Sequence, residues 1–77
     1  MVEDKVKELI AEQLKIDAAT ISKEQRLVED LRADSANVMM LIMDLEQVFD
    51  VVVEDEMLEE IKTVGDVIAA VERIQSR

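Results

Sequence analysis

The sequence predicts an all-α fold: a small four-helix bundle of three main helices plus a short acidic third helix, with a long ordered loop between helices 1 and 2. Three observations carry that expectation. Apolar residues recur at helical spacing in three separate stretches, and two of those stretches open on helix-start signals. The chain also has 77 residues with no Cys and no His. Neither a disulfide nor a zinc site can therefore staple so small a core, and packed amphipathic helices must stabilise it. The length fits one domain over residues 1–77.

The first helix runs from Val2 to Leu14, with Val2, Val6, Leu9, Ile10 and Leu14 on one face and polar residues over much of the rest. Lys15 to Ala33 has no sustained period, yet Ile16, Ile21, Leu27, Val28 and Leu31 recur often enough to pin it to the core as an ordered loop. Within it, Ser22 and Gln25 have capping-box spacing and predict a single helical turn. The second helix starts around Asp34 and Ser35, both good N-cap types, and ends at about Phe49 or Asp50. Val51 to Val53 is too short for a stable strand, and a short acidic turn of helix follows from Asp55 to Ile61. Thr63 opens the last helix in a capping box with Asp66, and Val64, Val67, Ile68, Val71 and Ile74 line one face behind it. Gly65 weakens that first turn slightly.

The net charge is −10, and all of it falls between Glu29 and Asp66, where twelve acids face two bases, Arg32 and Lys62. This acidity disfavours nucleic acid and anionic lipid and favours basic protein patches. It reads either as a contact face or as a solvated surface kept for solubility. Without His or Cys, catalysis would have to rest on carboxylates, Lys or an unassisted hydroxyl, so the chain is not expected to be an enzyme. The longest apolar run, Val38 to Met43, is far too short to span a bilayer, and no basic segment precedes an apolar one at the N-terminus. A soluble, cytoplasmic protein without stable membrane association is expected.

The second helix carries two apolar faces. Val38, Leu41, Ile42, Leu45, Val48 and Phe49 form the core side, while Ala36, Met39, Met40 and Met43 gather almost opposite, flanked by Asn37, Asp44 and Glu46. Apolar stripes at helical spacing are usually core. The alternative is a face left open for a partner, a role that adaptable Met side chains suit.

The segment Val28-Glu29-Asp30-Leu31-Arg32-Ala33-Asp34-Ser35-Ala36, followed by a helix ending Leu45-Glu46-Gln47-Val48-Phe49, resembles the acyl carrier protein family. The resemblance runs end to end, through the N-terminal helix, the long loop, the short acidic helix and the Thr63-Val64-Gly65-Asp66-Val67 opening of the last one. It implies that Ser35 is the attachment point of 4′-phosphopantetheine, donated from coenzyme A by a phosphopantetheinyl transferase using Mg²⁺. The arm carries acyl groups as thioesters. It implies that Asp34, beside the serine, helps to hold Mg²⁺ transiently during transfer; no resident metal is expected. It further implies that basic patches on acyl-processing enzymes meet Asp34, Asp44, Glu46, Asp55 and Glu59, while Ala36, Met39 and Met43 enter apolar pockets, and that the carrier works as a monomer; Met40 extends that partner-binding stripe. The core lined by Leu45, Ile61 and Val67 is where an acyl chain would be sheltered.

Four positions depart from the family pattern: Arg32 stands for the usual Gly, Ala36 for Leu, Asn37 for an acid and Met40 for Glu. A positive φ at residue 32 would strain an arginine. The expected function is a carrier in fatty-acid biosynthesis or a related pathway. The alternatives are a specialised carrier for a dedicated polyketide, amino-acyl or other secondary pathway, to which the departures point, and an unmodified acidic helical adaptor for a basic partner. A calcium sensor is excluded, since no segment has the alternating acids and central glycine of an EF-hand loop. Loose divalent-ion binding by the clustered acids is a further expectation.

Overall fold

The computed structural model describes residues 2–75. The element order is α1 (Val2–Leu14), a 3₁₀ turn (Ala18–Thr20), α2 (Ser35–Phe49), α3 (Asp55–Glu60) and α4 (Val64–Gln75), with no strand among the described residues. Helix α1 packs against both α2 and α4. Val6, Ile10, Leu45, Val64, Val67 and Val71 form the most deeply buried part of the core between these three helices. The amphipathic faces of α1 and α4 thus lie where their periodicity placed them.

The loop between α1 and α2 is anchored by Ile21, Leu27 and Ala33, all buried, with Leu31 half-buried against the same core. Two residues counted as anchors are not: Val28 is 62% exposed and Ile16 is on the surface. Ser22 and Gln25 form a turn rather than a turn of helix, although half of the expected reciprocal cap is present, the Ser22 N–H donating to Gln25 Oε1 at 2.9 Å. The loop's one helical turn lies earlier. There Asp17 caps Ala18–Thr20 by accepting from the Ala19 N–H at 2.9 Å.

Backbone hydrogen bonds fix the path of the loop across the start of α4. The Leu27 N–H donates to the Lys62 carbonyl at 2.9 Å, the Val64 N–H to the Gln25 carbonyl at 3.0 Å, and the Gly65 N–H to the Lys23 carbonyl at 2.9 Å. A Cβ at position 65 would lie 3.2 Å from that Lys23 oxygen, so the residue that weakens the helix also permits the close approach. Glu3 of α1 reaches the loop through Lys23 at 3.0 Å and pairs with Lys7 at 3.1 Å. These donors, Lys23 first, hold the half-exposed Glu3 carboxyl below its ordinary range.

Helix α2 ends on Asp50, in the left-handed region at φ 54°. The Glu46 carbonyl accepts from the N–H groups of both Asp50 and Val51 there. Val51 and Val53 then turn inward while Val52 points out. The Glu46 side chain accepts the Val53 N–H at 3.0 Å and so braces the connection to α3. At the start of α4 the expected capping box is complete: Thr63 Oγ1 accepts from the Asp66 N–H at 3.1 Å, and Asp66 Oδ2 accepts from the Thr63 N–H at 3.0 Å. The same oxygen also takes the Lys62 N–H at 3.0 Å. These backbone donors, that of Lys62 foremost, hold the Asp66 carboxyl below the usual aspartate range.

A carboxyl depressed on folding contributes stability that is present above its unfolded value, near 3.9, and is lost as pH falls through its lower folded value. The melting-temperature advantage of the wild type over Asp66→Asn is therefore expected to shrink below about pH 4, as followed by circular dichroism across an acid series. Arg32 has φ 60°. A left-handed conformation costs a non-glycine residue about 1–2 kcal/mol. Arg32→Gly is accordingly expected to stabilise the fold by about 1 kcal/mol, a rise of roughly 4–8 °C in thermal melting for a domain of this size.

Candidate functional site

Everything expected of Ser35 depends on how α2 begins. The Arg26 carbonyl accepts from the N–H groups of Asp30 and Leu31, each at 3.0 Å, and the Asp30 carboxylate takes the Arg26 N–H at 2.8 Å. The Leu27 carbonyl then accepts the Ala33 N–H at 2.9 Å. This knot delivers Asp34 and Ser35 to the end of the loop with Ala33 buried behind them. Arg32 supplies the left-handed residue just before Ala33.

Asp34 is the N-cap. Its Oδ1 accepts from the Asn37 N–H at 2.8 Å, and Asn37 Oδ1 takes the Asp34 N–H at 3.3 Å, which closes a capping box. Asn37 thus performs a capping task that the sequence reading did not assign to it. Ser35 is the first residue of α2 rather than its cap; it is exposed, and its hydroxyl makes no hydrogen bond among the described residues. By position, the first N–H groups of α2 lack partners inside the helix, so the hydroxyl stands where backbone and dipole favour an anion.

A cleft of about 900 Å³, open to solvent, is lined in part by Asp34 and Ser35. Leu27, Val28, Ala33, Val38 and Met39 line it from the loop and α2, and Leu58 and Ile61 from α3 and its end. Arg26, Glu29, Lys62, Thr63 and Asp66 complete it. Of the three residues expected to shelter an acyl chain only Ile61 lines this cleft, because Leu45 and Val67 are fully buried in the bundle. Behind it, a crevice of about 10 Å³ between α1 and α2 has room for about one water, so the cleft has a packed rear wall.

The Met stripe is exposed rather than core: Met39, Met40 and Met43 are 50%, 53% and 55% exposed, and Ala36 is exposed beside them. Gln13 of α1 donates to the Met40 sulfur at 3.6 Å, so the apolar face continues to the α1 edge. Val48, placed with the core by its spacing, is 45% exposed; Leu41, Ile42 and Leu45 carry the core face, with Val38 and Phe49 half-buried. Asp55 and Glu59 are exposed on α3 and Asp44 is half-exposed on α2. Glu46 differs from them, since one of its oxygens is committed to the Val53 N–H. Among the described residues no three carboxylates come together as a metal site.

Ser35 is thus an exposed serine at the start of α2, with no hydrogen bond to its hydroxyl among the described residues, on a largely apolar cleft. In the comparisons with known proteins, residues 4–71 match the family model described as a phosphopantetheine attachment site. An acyl carrier protein from Clostridium acetobutylicum is 48% identical over 68 residues, 88% of each chain. One from Thermotoga maritima is 44% identical over 69 residues, 90% of this chain and 85% of that one. The crystal structure of a Thermotoga maritima acyl carrier protein superposes with a TM-score of 0.80 at 32% identity, covering 94% of this chain and 84% of that one. A Mycobacterium tuberculosis structure assigned as an acyl carrier protein gives 0.90 at 36% identity, covering 95% and 97%. This chain belongs to the acyl carrier protein family. It is a carrier rather than an enzyme, it bears 4′-phosphopantetheine covalently, and it interacts with phosphopantetheinyl transferase and acyl-processing enzymes.

The division of labour between Asp34 and Ser35 is open to a direct check. Asp34→Ala removes a cap and is expected to cost about 1 kcal/mol. Ser35→Ala in the unmodified protein removes no hydrogen bond and is expected to change stability by less than about 0.5 kcal/mol in urea titrations.

Proposed function

We propose that Ser35 is the attachment residue and that residues 1–77 act as one carrier domain, presenting acyl thioesters to enzymes of fatty-acid biosynthesis or a related pathway in the cytoplasm. The observation that carries this reading is the unbonded Ser35 hydroxyl at the start of α2, beside the cleft. The residues fit the arm. When bound, it supplies a thiol that the chain, lacking Cys, does not have. The N-terminus of α2 favours the phosphodiester anion. Asp34 keeps a carboxylate next to the hydroxyl while its Oδ1 holds the cap, and its other oxygen is available to a Mg²⁺ ion during transfer.

Partner docking falls on the exposed face of α2. Ala36, Met39, Met40 and Met43 offer an adaptable apolar contact, and Asp44, Asp55 and Glu59 surround it with negative charge that steers basic patches toward Ser35. Glu46 joins this set with the oxygen that does not brace the connection to α3. Asn37 and Met40 reduce the acid count on α2, which favours partners with a larger apolar and smaller basic footprint, as in a dedicated pathway. No helix among the described residues is long and apolar enough to cross a membrane.

Incubation with coenzyme A, Mg²⁺ and a phosphopantetheinyl transferase is expected to add one phosphopantetheine unit by intact-mass measurement, and Ser35→Ala is expected to gain none. A mutant that still gains the unit, or a wild type that gains none with its own organism's transferase, refutes the assignment. Met43→Asp is expected to lower the rate at which a partner enzyme turns over the loaded carrier at least tenfold, while arm attachment to the protein is retained and its melting temperature holds, because Met43 is a surface residue.

A further inference from the structure

Between Arg32 and Arg73 the chain contains eleven acids and a single base, Lys62. Its carbonyl receives the Leu27 N–H at 2.9 Å, and the residue is exposed on the cleft that Ser35 also lines. The other charged side chains of the cleft each make at least one close contact. Arg26 Nη1 and Glu29 Oε2 pair at 2.7 Å, Asp34 Oδ1 holds the Asn37 N–H, and Asp66 Oδ2 holds the Lys62 and Thr63 N–H groups. The Lys62 ammonium makes neither an ion pair nor a side-chain hydrogen bond among the described residues. The ammonium acts on the Asp66 carboxylate through longer-range charge attraction, so the cleft that Ser35 also lines holds a cation with no close ion pair among the described residues.

We propose that Lys62 is the anion-holding residue of the cleft, pairing with a negative charge borne by the arm on Ser35 and thereby seating the arm between α2 and α3 instead of leaving it in solvent. This rests on Ser35 being the attachment residue. Two groups offer that charge: the phosphodiester, present on every arm, and a carboxylate at the far end of an acyl group. The phosphodiester is favoured because it enters with the arm whatever the cargo. Lys62 is itself exposed, so the pair is screened by salt, which the test uses.

The test compares melting temperatures of the unmodified, free-thiol, butyryl and succinyl forms of the wild type, Lys62→Gln and Lys62→Arg, each confirmed by intact mass, at low salt and in 0.5 M NaCl. Arm attachment is expected to raise the melting temperature of the wild type by roughly 2–5 °C at low salt. Lys62→Arg keeps that increment, whereas Lys62→Gln and high salt remove most of it. An increment that appears only in the succinyl form, and is lost in Lys62→Gln, assigns the anion to the cargo carboxylate. Equal increments in the wild type and Lys62→Gln for every form overturn the role of Lys62 alone. A wild type that gains no mass overturns the Ser35 assignment, and this proposal with it.

Discussion

Leu27 is the residue on which the working end of this domain depends. Its N–H is bonded to the Lys62 carbonyl, its own carbonyl to the Ala33 N–H, and its side chain is buried at 2% exposure. One residue thereby ties the loop to the start of α4 on one side and to the start of α2 on the other. Each backbone bond contributes only about 1 kcal/mol net, and full burial of a leucine about 1.5–3 kcal/mol, but leaving these groups unmet inside the fold would cost more. A connection as long as that from Lys15 to Asp34, with one 3₁₀ turn of its own, needs such an anchor to stay ordered.

From that anchor follow the two surfaces that matter. One is the cleft, whose floor is built by Leu27, Ala33 and Val38 and whose far wall is α3. The other is the outward face of α2, uncharged along Ala36, Met39, Met40 and Met43 although the chain as a whole is strongly acidic. The acids stand around that face rather than on it. Such a face suits the docking proposed above, in which long-range attraction brings a partner in and thioethers repack against different pockets.

The helices were legible in the sequence because helix formation is local: Val2–Leu14 has the predicted ends, and Thr63 with Asp66 caps α4 as their spacing implies. The loop was not. Whether Val28 or Leu27 faces the core is decided by backbone bonds to Lys62 and Ala33, partners distant in sequence or hidden in an irregular turn, and no periodicity encodes them. Val48 lay at the edge of the predicted core arc, where a small rotation of α2 decides its exposure. Asn37 was read by the charge it lacks, although Asp34 three residues before it was the signal for a reciprocal cap. The position of Ser35 was legible from the Asp34-Ser35 pair and its context, whereas the cleft was not, because it arises from the gap between α2 and α3 and no residue pattern marks a gap.

Helix α3 has six residues, no fully buried side chain and no side-chain bond at its N-cap. A helix of that length has little stability of its own and is held by Met57, Leu58 and Ile61 resting on the core. In terms of local opening, its amide hydrogens are expected to exchange at a lower free energy than those of α1, α2 and α4. The outer wall of the cleft is thus its least firmly held part, and a shift there would leave the packing of the three long helices in place.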